Sequence, residues 1–284
     1  MHTDLRFHLI NVSLPKTGST SLVSIFRRFR AAHEYAMLGT TECLINWQNG
    51  ISSEMDVDAF LLSRQDVAKL EVDSCTCLHW ASHRLPHLFP EARFVLCVRD
   101  CASWAISWLA YLHQEVGIFV GKESGGIGDG LERVMQDRQL YFREAGSQPS
   151  ILRDRWERYC RAVMPGQKLE NFTCDNRILE LIPDLAPQLV RFWSRSTLNV
   201  LQNIPDERLL ILRLHALESS VGRLASFVGI DEGSLTAEGG HLNKGQEASK
   251  LRDMLDPGAI LDGHQDEISQ VEDALSLRCS ESVS

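Results

Sequence analysis

Residues 14–21 of the chain read Leu-Pro-Lys-Thr-Gly-Ser-Thr-Ser, and the fold is predicted outward from this stretch. An apolar run over residues 7–14 leads into it, and apolar residues at helical spacing follow it. A strand, a tight polar turn and a helix in this order are typical of an anion-binding loop, because the N–H groups of the turn and of the helix start point at one position. We call residues 15–21 the anion-binding loop.

The order of residues in this loop argues against a nucleoside triphosphate site. The Walker A pattern G-x-x-x-x-G-K-[ST] places its lysine after a loop that begins and ends with glycine. Here Lys16 precedes Gly18, which is the only glycine of the loop. Lys16 would supply a mobile positive charge to an anion. A turn that merely caps a helix remains the alternative.

The same residues resemble the 5′-phosphosulfate loop of sulfotransferases that use 3′-phosphoadenosine 5′-phosphosulfate (PAPS). That loop reads Pro-Lys-[Thr/Ser]-Gly-[Ser/Thr]-Thr, and residues 15–20 match it. The resemblance implies that PAPS is bound by Lys16, Thr17, Gly18, Ser19, Thr20 and Ser21.

A second match to this family lies about eighty residues further along the chain. A buried strand is predicted over residues 94–98, and it ends at Arg99 before a helix over residues 102–113. Arginine followed by serine eight residues later, here Arg99 and Ser107, resembles the 3′-phosphate motif of the family. An Arg99–Asp100 surface pair and a serine bonded within its own helix are the alternative.

Two later stretches match the family in part. Residues 212–217 read Leu-Arg-Leu-His-Ala-Leu, where the family usually carries Tyr-Glu-Asp-Leu after the arginine. Lys244 and Gly245 resemble a loop that closes over the 3′-phosphate in many relatives. A surface turn is the alternative for these two residues.

The acceptor must lose a proton, so a base is expected near the loop. Relatives use a glutamate or a histidine at the second strand, which is predicted here over residues 68–73. The resemblance ranks Glu71 slightly ahead of Asp73, which is closer to the predicted strand end, and His79 remains open.

Composition limits the classes of function. The chain has 284 residues, 44% apolar and 24% charged, which suits a globular protein with a sizeable core. A net charge of −9 argues against general nucleic-acid binding. We expect no membrane span, no signal peptide, free cysteines and a cytoplasmic location.

The predicted architecture is α/β: a central parallel sheet flanked by helices, in a sulfotransferase fold that resembles P-loop NTPases. Further strands are expected over residues 7–14 and 208–214, and a first helix over residues 21–32. We predict a single domain over residues 1–250, with a helical acceptor-side lid over 114–206. A charged tail over 251–284 is expected to be partly disordered.

The resemblance implies transfer of a sulfuryl group from PAPS to a hydroxyl or amine of a small-molecule acceptor. A hydroxylated metabolite, lipid-like or aromatic, is expected, and the oligomeric state stays open. No metal is expected, although His79, His83 and His87 are spaced by four. A phosphoryl kinase and a non-catalytic nucleotide-binding module are the rival classes.

Overall fold

The computed structural model describes residues 5–119, 149–236 and 249–281. A five-stranded parallel sheet runs through it in the order β2-β3-β1-β4-β5. The predicted α/β class with a central parallel sheet is therefore confirmed. The strands are β1 (Leu9–Asn11), β2 (Ala31–His33), β3 (Val72–Ser74), β4 (Arg93–Val98) and β5 (Leu209–Arg213).

Helices connect the strands and continue beyond β5. The longest, α7, contains Pro183 and Pro187 within its span. The helices are α1 (Ser19–Ile25), α2 (Met37–Gln48), α3 (Glu54–Ala68), α4 (Leu85–Leu88), α5 (Cys101–Phe119), α6 (Pro149–Val163), α7 (Asp175–Asn203), α8 (Val221–Val228), α9 (Ser249–Met254), α10 (Pro257–Leu261) and α11 (Gln265–Glu281).

The first helix and the second predicted strand differ most from the sequence prediction. The helix expected over residues 21–32 ends at Ile25, and β2 occupies Ala31–His33. The strand expected over residues 68–73 starts only at Val72, because α3 continues to Ala68 and Lys69 ends it with a φ of 47°. A short strand that follows a helix closely carries too few residues for its alternation to be recognised.

The described part of the chain divides into two compact units. The first comprises the described residues of Met1–Asp100, Trp193–Lys244 and Asp266–Ser284, and the second those of Cys101–Phe192 and Gly245–Gln265. The single domain expected over residues 1–250 stays a prediction. Residues 114–206 are mainly helical where they are described, and their role on the acceptor side stays a prediction.

The core of the first unit lies against the sheet. Helices α1 and α8 place Leu22 and Leu224 over one face, where both side chains are fully buried. Leu61 of α3 is 2% exposed and lines a small cavity beside Ile10 and Asp73. Apolar residues in the central strands are therefore buried, as expected for a parallel sheet covered by helices.

The C-terminal segment is mainly helical over its described residues, 249–281, and the partly disordered tail expected over 251–284 stays a prediction. In α11, Val271 and Leu275 are fully buried, one helical turn apart. This apolar stripe is narrow and surrounded by charged residues, so the composition of the segment does not reveal a buried helix face. Across the described residues, no helix combines the length and the apolar character that crossing a membrane would require.

Candidate active site

The anion-binding loop has an unusual backbone. Lys16 has a φ of 67° and Gly18 a φ of 101°, and Gly18 caps the start of α1. The hydroxyl of Thr17 donates to the carbonyl of Leu14 over 2.6 Å, which closes the turn. Because non-glycine residues with positive φ are strained, the conformation of Lys16 marks this turn as a functional candidate.

The side chains that pack on Gly18 also favour glycine at this position. A Cβ atom at this position would stand 2.5 Å from Cδ1 of Leu214 and 3.6 Å from Cδ2 of Leu217. The short 3₁₀ turn Leu214–Ala216, which follows β5, therefore packs directly on the loop. Leu214 stands where the family usually has tyrosine, so this landmark still contacts the loop through an aliphatic side chain.

Buried polar side chains support the loop from the sheet. Asn11 donates to the hydroxyl of Ser74 over 2.8 Å, and that hydroxyl donates to the carbonyl of Ser19 over 3.3 Å. Ser13 bonds to the side chain of Asn11 and accepts the N–H of Cys97 over 2.6 Å. Buried networks with satisfied partners are rigid, so the loop is fixed to β1, β3 and β4.

His33 and Glu34, directly at the end of β2, lie against the loop. Nε2 of His33 is 3.0 Å from the hydroxyl of Ser19 and 3.4 Å from that of Thr20. The same nitrogen lies 3.6 Å from Oε1 of Glu34. Because Ser19 and Thr20 belong to the loop, the structure brings a histidine and a carboxylate to it that the sequence analysis had not selected.

Residues that follow β3 hold Glu34 in place. Its Oε1 accepts the N–H and the hydroxyl of Thr76 over 3.2 and 2.8 Å. Its Oε2 lies 3.6 Å from the thiol of Cys75, which donates. Glu34 has a φ of 60°, a costly conformation that these contacts offset.

Glu71 lies at the amino end of the sheet, away from the anion-binding loop, and its role as the base stays a prediction. Its carbonyl accepts the N–H of Leu9, the first residue of β1, and the next residue, Val72, pairs with Leu9 in register. Glu71 therefore lies directly before β3, at the end of the sheet where β1 begins. Arg6 donates to both carboxylate oxygens over 2.7 and 2.9 Å, and the N–H of Arg30 donates over 2.9 Å. Burial alone would raise the pKa of Glu71, but the bonds and charges of Arg6 and Arg30 lower it below its usual value.

Asp73 is occupied by a buried ion pair. It pairs in register with Ile10, and both of its oxygens accept hydrogen bonds from Arg64. Arg64 also donates to the carbonyl of Tyr35 over 2.8 Å. Removing an acid from such a pair leaves a buried charge and destabilises the fold. The role of Asp73 as a base stays a prediction.

His79 lies close to the carboxyl end of β3 but is only 1% exposed. Its Nδ1 is 2.7 Å from the carbonyl of Thr76, which assigns the proton to that nitrogen. Burial lowers the pKa of His79 to about 4, against the opposing effect of this hydrogen bond. The ring is therefore neutral at pH 7, but an acceptor has no open route to it.

Arg99 leaves the sheet at the same edge as the anion-binding loop. Asn11 of β1 pairs with Val95 of β4 in parallel register. Pro15 and Arg99 each lie four residues further along their own segment. The carbonyl of Arg99 accepts the indole N–H of Trp193 over 3.1 Å, which fixes its backbone. Adjacent parallel strands thus deliver the loop and this arginine to one edge.

The structure does not test three of the predicted residues. Ser107 lies in α5, which belongs to the second compact unit. Lys244 and Gly245 lie outside the described residues. Their predicted contacts to the 3′-phosphate stay predictions.

The sequence signal for His33 and Glu34 was weak. A polar residue at the carboxyl end of a strand, followed by a carboxylate, is the signal that could have found them. However, β2 has only three residues and two of them are alanine, so no strand was predicted there. In the part of the chain that the structure describes, no group of three or more His, Cys, Asp or Glu side chains is placed to hold a metal ion.

Comparison with known families agrees with this geometry. Residues 8–235 match the family model described as a sulfotransferase domain, which covers most of the chain, all five strands and the anion-binding loop. A search of curated proteins finds no match to the chain. With a loop that fits an anion at the carboxyl edge of a parallel sheet, and with this match over its length, the chain belongs to the sulfotransferase-domain family.

Proposed function

We propose that this sulfotransferase takes its sulfuryl group from PAPS and transfers it to a hydroxyl or amine of a small-molecule acceptor. The observation that carries the proposal is the parallel pairing of β1 and β4. The anion-binding loop and Arg99 follow these neighbouring strands at the same, carboxyl end of the sheet. A nucleotide with phosphates at its 5′ and 3′ positions needs two separate anion sites. The loop suits the phosphosulfate, and Arg99 suits the 3′-phosphate.

The transfer is an in-line displacement at sulfur. The acceptor oxygen or nitrogen forms a bond to sulfur while the bond from sulfur to the bridging oxygen breaks. The electron pair of that bond stays on the 5′-phosphate, which leaves as 3′-phosphoadenosine 5′-phosphate (PAP). Lys16 would stabilise the negative charge that grows on the bridging oxygen, and this favours the transition state over the ground state.

We propose His33 as the group that removes the acceptor proton. Its Nε2 lies 3.0 Å from Ser19 of the loop, and its side chain is 34% exposed, so an acceptor can reach it. Glu34, 3.6 Å from this nitrogen, would stabilise the imidazolium that forms. Glu71 is at the other end of β3, Asp73 is bound to Arg64, and His79 is buried.

A screen with sulfur-labelled PAPS tests the function. Purified protein is incubated with hydroxylated aromatic and lipid-like acceptors, and labelled product is measured beside PAP binding by calorimetry. We expect PAP binding without added magnesium, and label transfer to at least one acceptor class. Binding of PAP with no transfer across the screen would favour a non-catalytic module, and magnesium-dependent binding of ATP would favour a kinase.

The Lys16→Ala variant tests the mechanism. Removing a charge aimed at the leaving oxygen should lower turnover about 100-fold or more. The matched control is Lys69→Ala, which changes a lysine at the end of α3 that the geometry gives no catalytic role. Turnover of Lys16→Ala equal to that of the control would remove Lys16 from the reaction.

A further inference from the structure

Helix α11 lies beyond residue 235, where the match to the sulfotransferase domain ends. Two ion pairs connect it to β5, an edge strand of the sheet, and to the segment before it. Arg213, the last residue of β5, pairs with Glu272 of the helix, and Arg278 of the helix pairs with Asp206, which precedes β5. Val271 and Leu275 are fully buried, so the helix is docked by apolar contact as well as by charge.

The ion pair at the carboxyl end of β5 is two-pronged. Nη2 of Arg213 donates to Oε2 of Glu272 over 2.5 Å, and Nη1 donates to Oε1 over 3.2 Å. Both side chains are about one third exposed, at 29% and 33%. A bidentate arginine–carboxylate pair fixes orientation as well as distance.

Arg213 directly precedes the turn that covers the anion-binding loop. Leu214, the next residue, has its Cδ1 2.5 Å from where a Cβ atom at Gly18 would stand. Leu217, which closes the same turn, is 1% exposed and also faces Gly18. Contact therefore runs without a gap from α11 through Arg213 and Leu214 to the loop.

The pair at the other end of β5 has no such connection. Nη1 of Arg278 bonds to Asp206 over 2.5 Å and to the carbonyl of Ile204 over 3.0 Å. These two residues precede β5 and lie at the amino end of the sheet. Arg278 therefore anchors the same helix away from the loop.

We propose that Glu272 is a positioning residue, which holds Arg213 and thereby keeps Leu214 packed on the anion-binding loop. The proposal rests on the proposed binding of PAPS and PAP by that loop. Without the carboxylate, Arg213 loses its fixed orientation and the turn over Gly18 loosens. The helix outside the family domain thus tunes nucleotide affinity and not the chemical step.

Glu272→Gln and Arg278→Gln in the full-length chain form a matched pair of variants, since each removes one ion pair of α11. We expect both to lower the melting temperature by a similar amount. Glu272→Gln should weaken PAP binding about three- to fivefold with kcat unchanged, whereas Arg278→Gln should change it less than twofold. Equal PAP affinities of the two variants would overturn the proposal.

Hydrogen exchange gives a readout that needs no nucleotide. Amides of residues 214–217 should exchange faster in Glu272→Gln than in Arg278→Gln, because only the first variant loosens the turn. Identical exchange there would also overturn the proposal. A wild-type protein that binds no PAP would instead refute the proposed function, and the exchange comparison would still decide whether Glu272 holds the turn.

Discussion

At the scale of single residues, the end of the sheet at which a titratable side chain lies decides whether it can contact the anion-binding loop. His33 and Glu71 both follow or flank short strands, yet His33 touches Ser19 of the loop while Glu71 bonds to Arg6 at the other end of the sheet. Parallel strands place ligands at their carboxyl ends, and for this reason we propose His33 and not Glu71 as the base.

His33→Asn tests this assignment. Asparagine keeps a polar side chain but cannot take up the acceptor proton, so turnover should fall about 100-fold or more. PAP affinity should change little, because Lys16 and the loop backbone remain. Label transfer from PAPS to an acceptor found in the screen, together with calorimetry of PAP binding, gives both quantities.

Glu71→Gln is the matched comparison for that variant. It removes the charge that Arg6 and the N–H of Arg30 contact, and should cost about 1–2 kcal/mol of unfolding free energy. Turnover per folded molecule should stay near that of the wild type. Loss of turnover in Glu71→Gln with normal turnover in His33→Asn would restore the prediction made from the sequence.

At the scale of elements, one arginine secures the connection between α4 and β4. Arg208 donates to the carbonyls of Ala92, Pro86 and Phe89 over 2.9, 3.1 and 2.5 Å. Carbonyls at the end of a helix have no partner within it, and a charged donor both bonds to them and suits the helix dipole. A residue before β5 thus fixes the entry into β4, its neighbour in the sheet.

Arg208→Met should lower the free energy of unfolding by about 2–3 kcal/mol, because it removes three charge-assisted hydrogen bonds. Arg177→Met is the control, since its pair with Glu180 is exposed and should contribute less than about 0.5 kcal/mol. Urea denaturation of both variants measures the difference. Equal midpoints would contradict the role given to Arg208.

At the scale of the whole molecule, two histidines, the half-buried His8 and the buried His79, link stability to pH. Burial lowers the pKa of both His8 and His79 to about 4. In the unfolded chain a histidine titrates near pH 6.5. Between these values the unfolded state binds protons that the folded state does not, so the free energy of unfolding falls as the pH falls from about 6.5 towards 4.

His79→Gln should remove about 2 kcal/mol of the stability difference between pH 7 and pH 5. Glutamine cannot titrate, so the variant should lose less stability on acidification than the wild type does. His87→Gln, at an exposed histidine on α4, should leave the difference unchanged. Denaturation curves at both pH values give the answer, and parallel behaviour of the two variants would refute it.

The sequence by itself determined the local parts of the molecule. Residues 15–21 predicted the turn after β1 and the start of α1, and the apolar runs at 94–98 and 208–214 predicted β4 and β5 to within one residue. These features depend on neighbours in the chain, so hydrophobic pattern and turn chemistry suffice to find them. The α/β class followed from the same patterns.

Only the tertiary structure decided which residues meet. The register of β3 beside β1 places Glu71 at the end of the sheet away from the loop. His33, the last residue of the short β2, contacts the loop through Ser19. The pairing of Arg213 with Glu272 joins positions that are 59 residues apart. Such contacts depend on strand order, register and helix docking, which the packing of the whole core selects and a local sequence pattern does not encode.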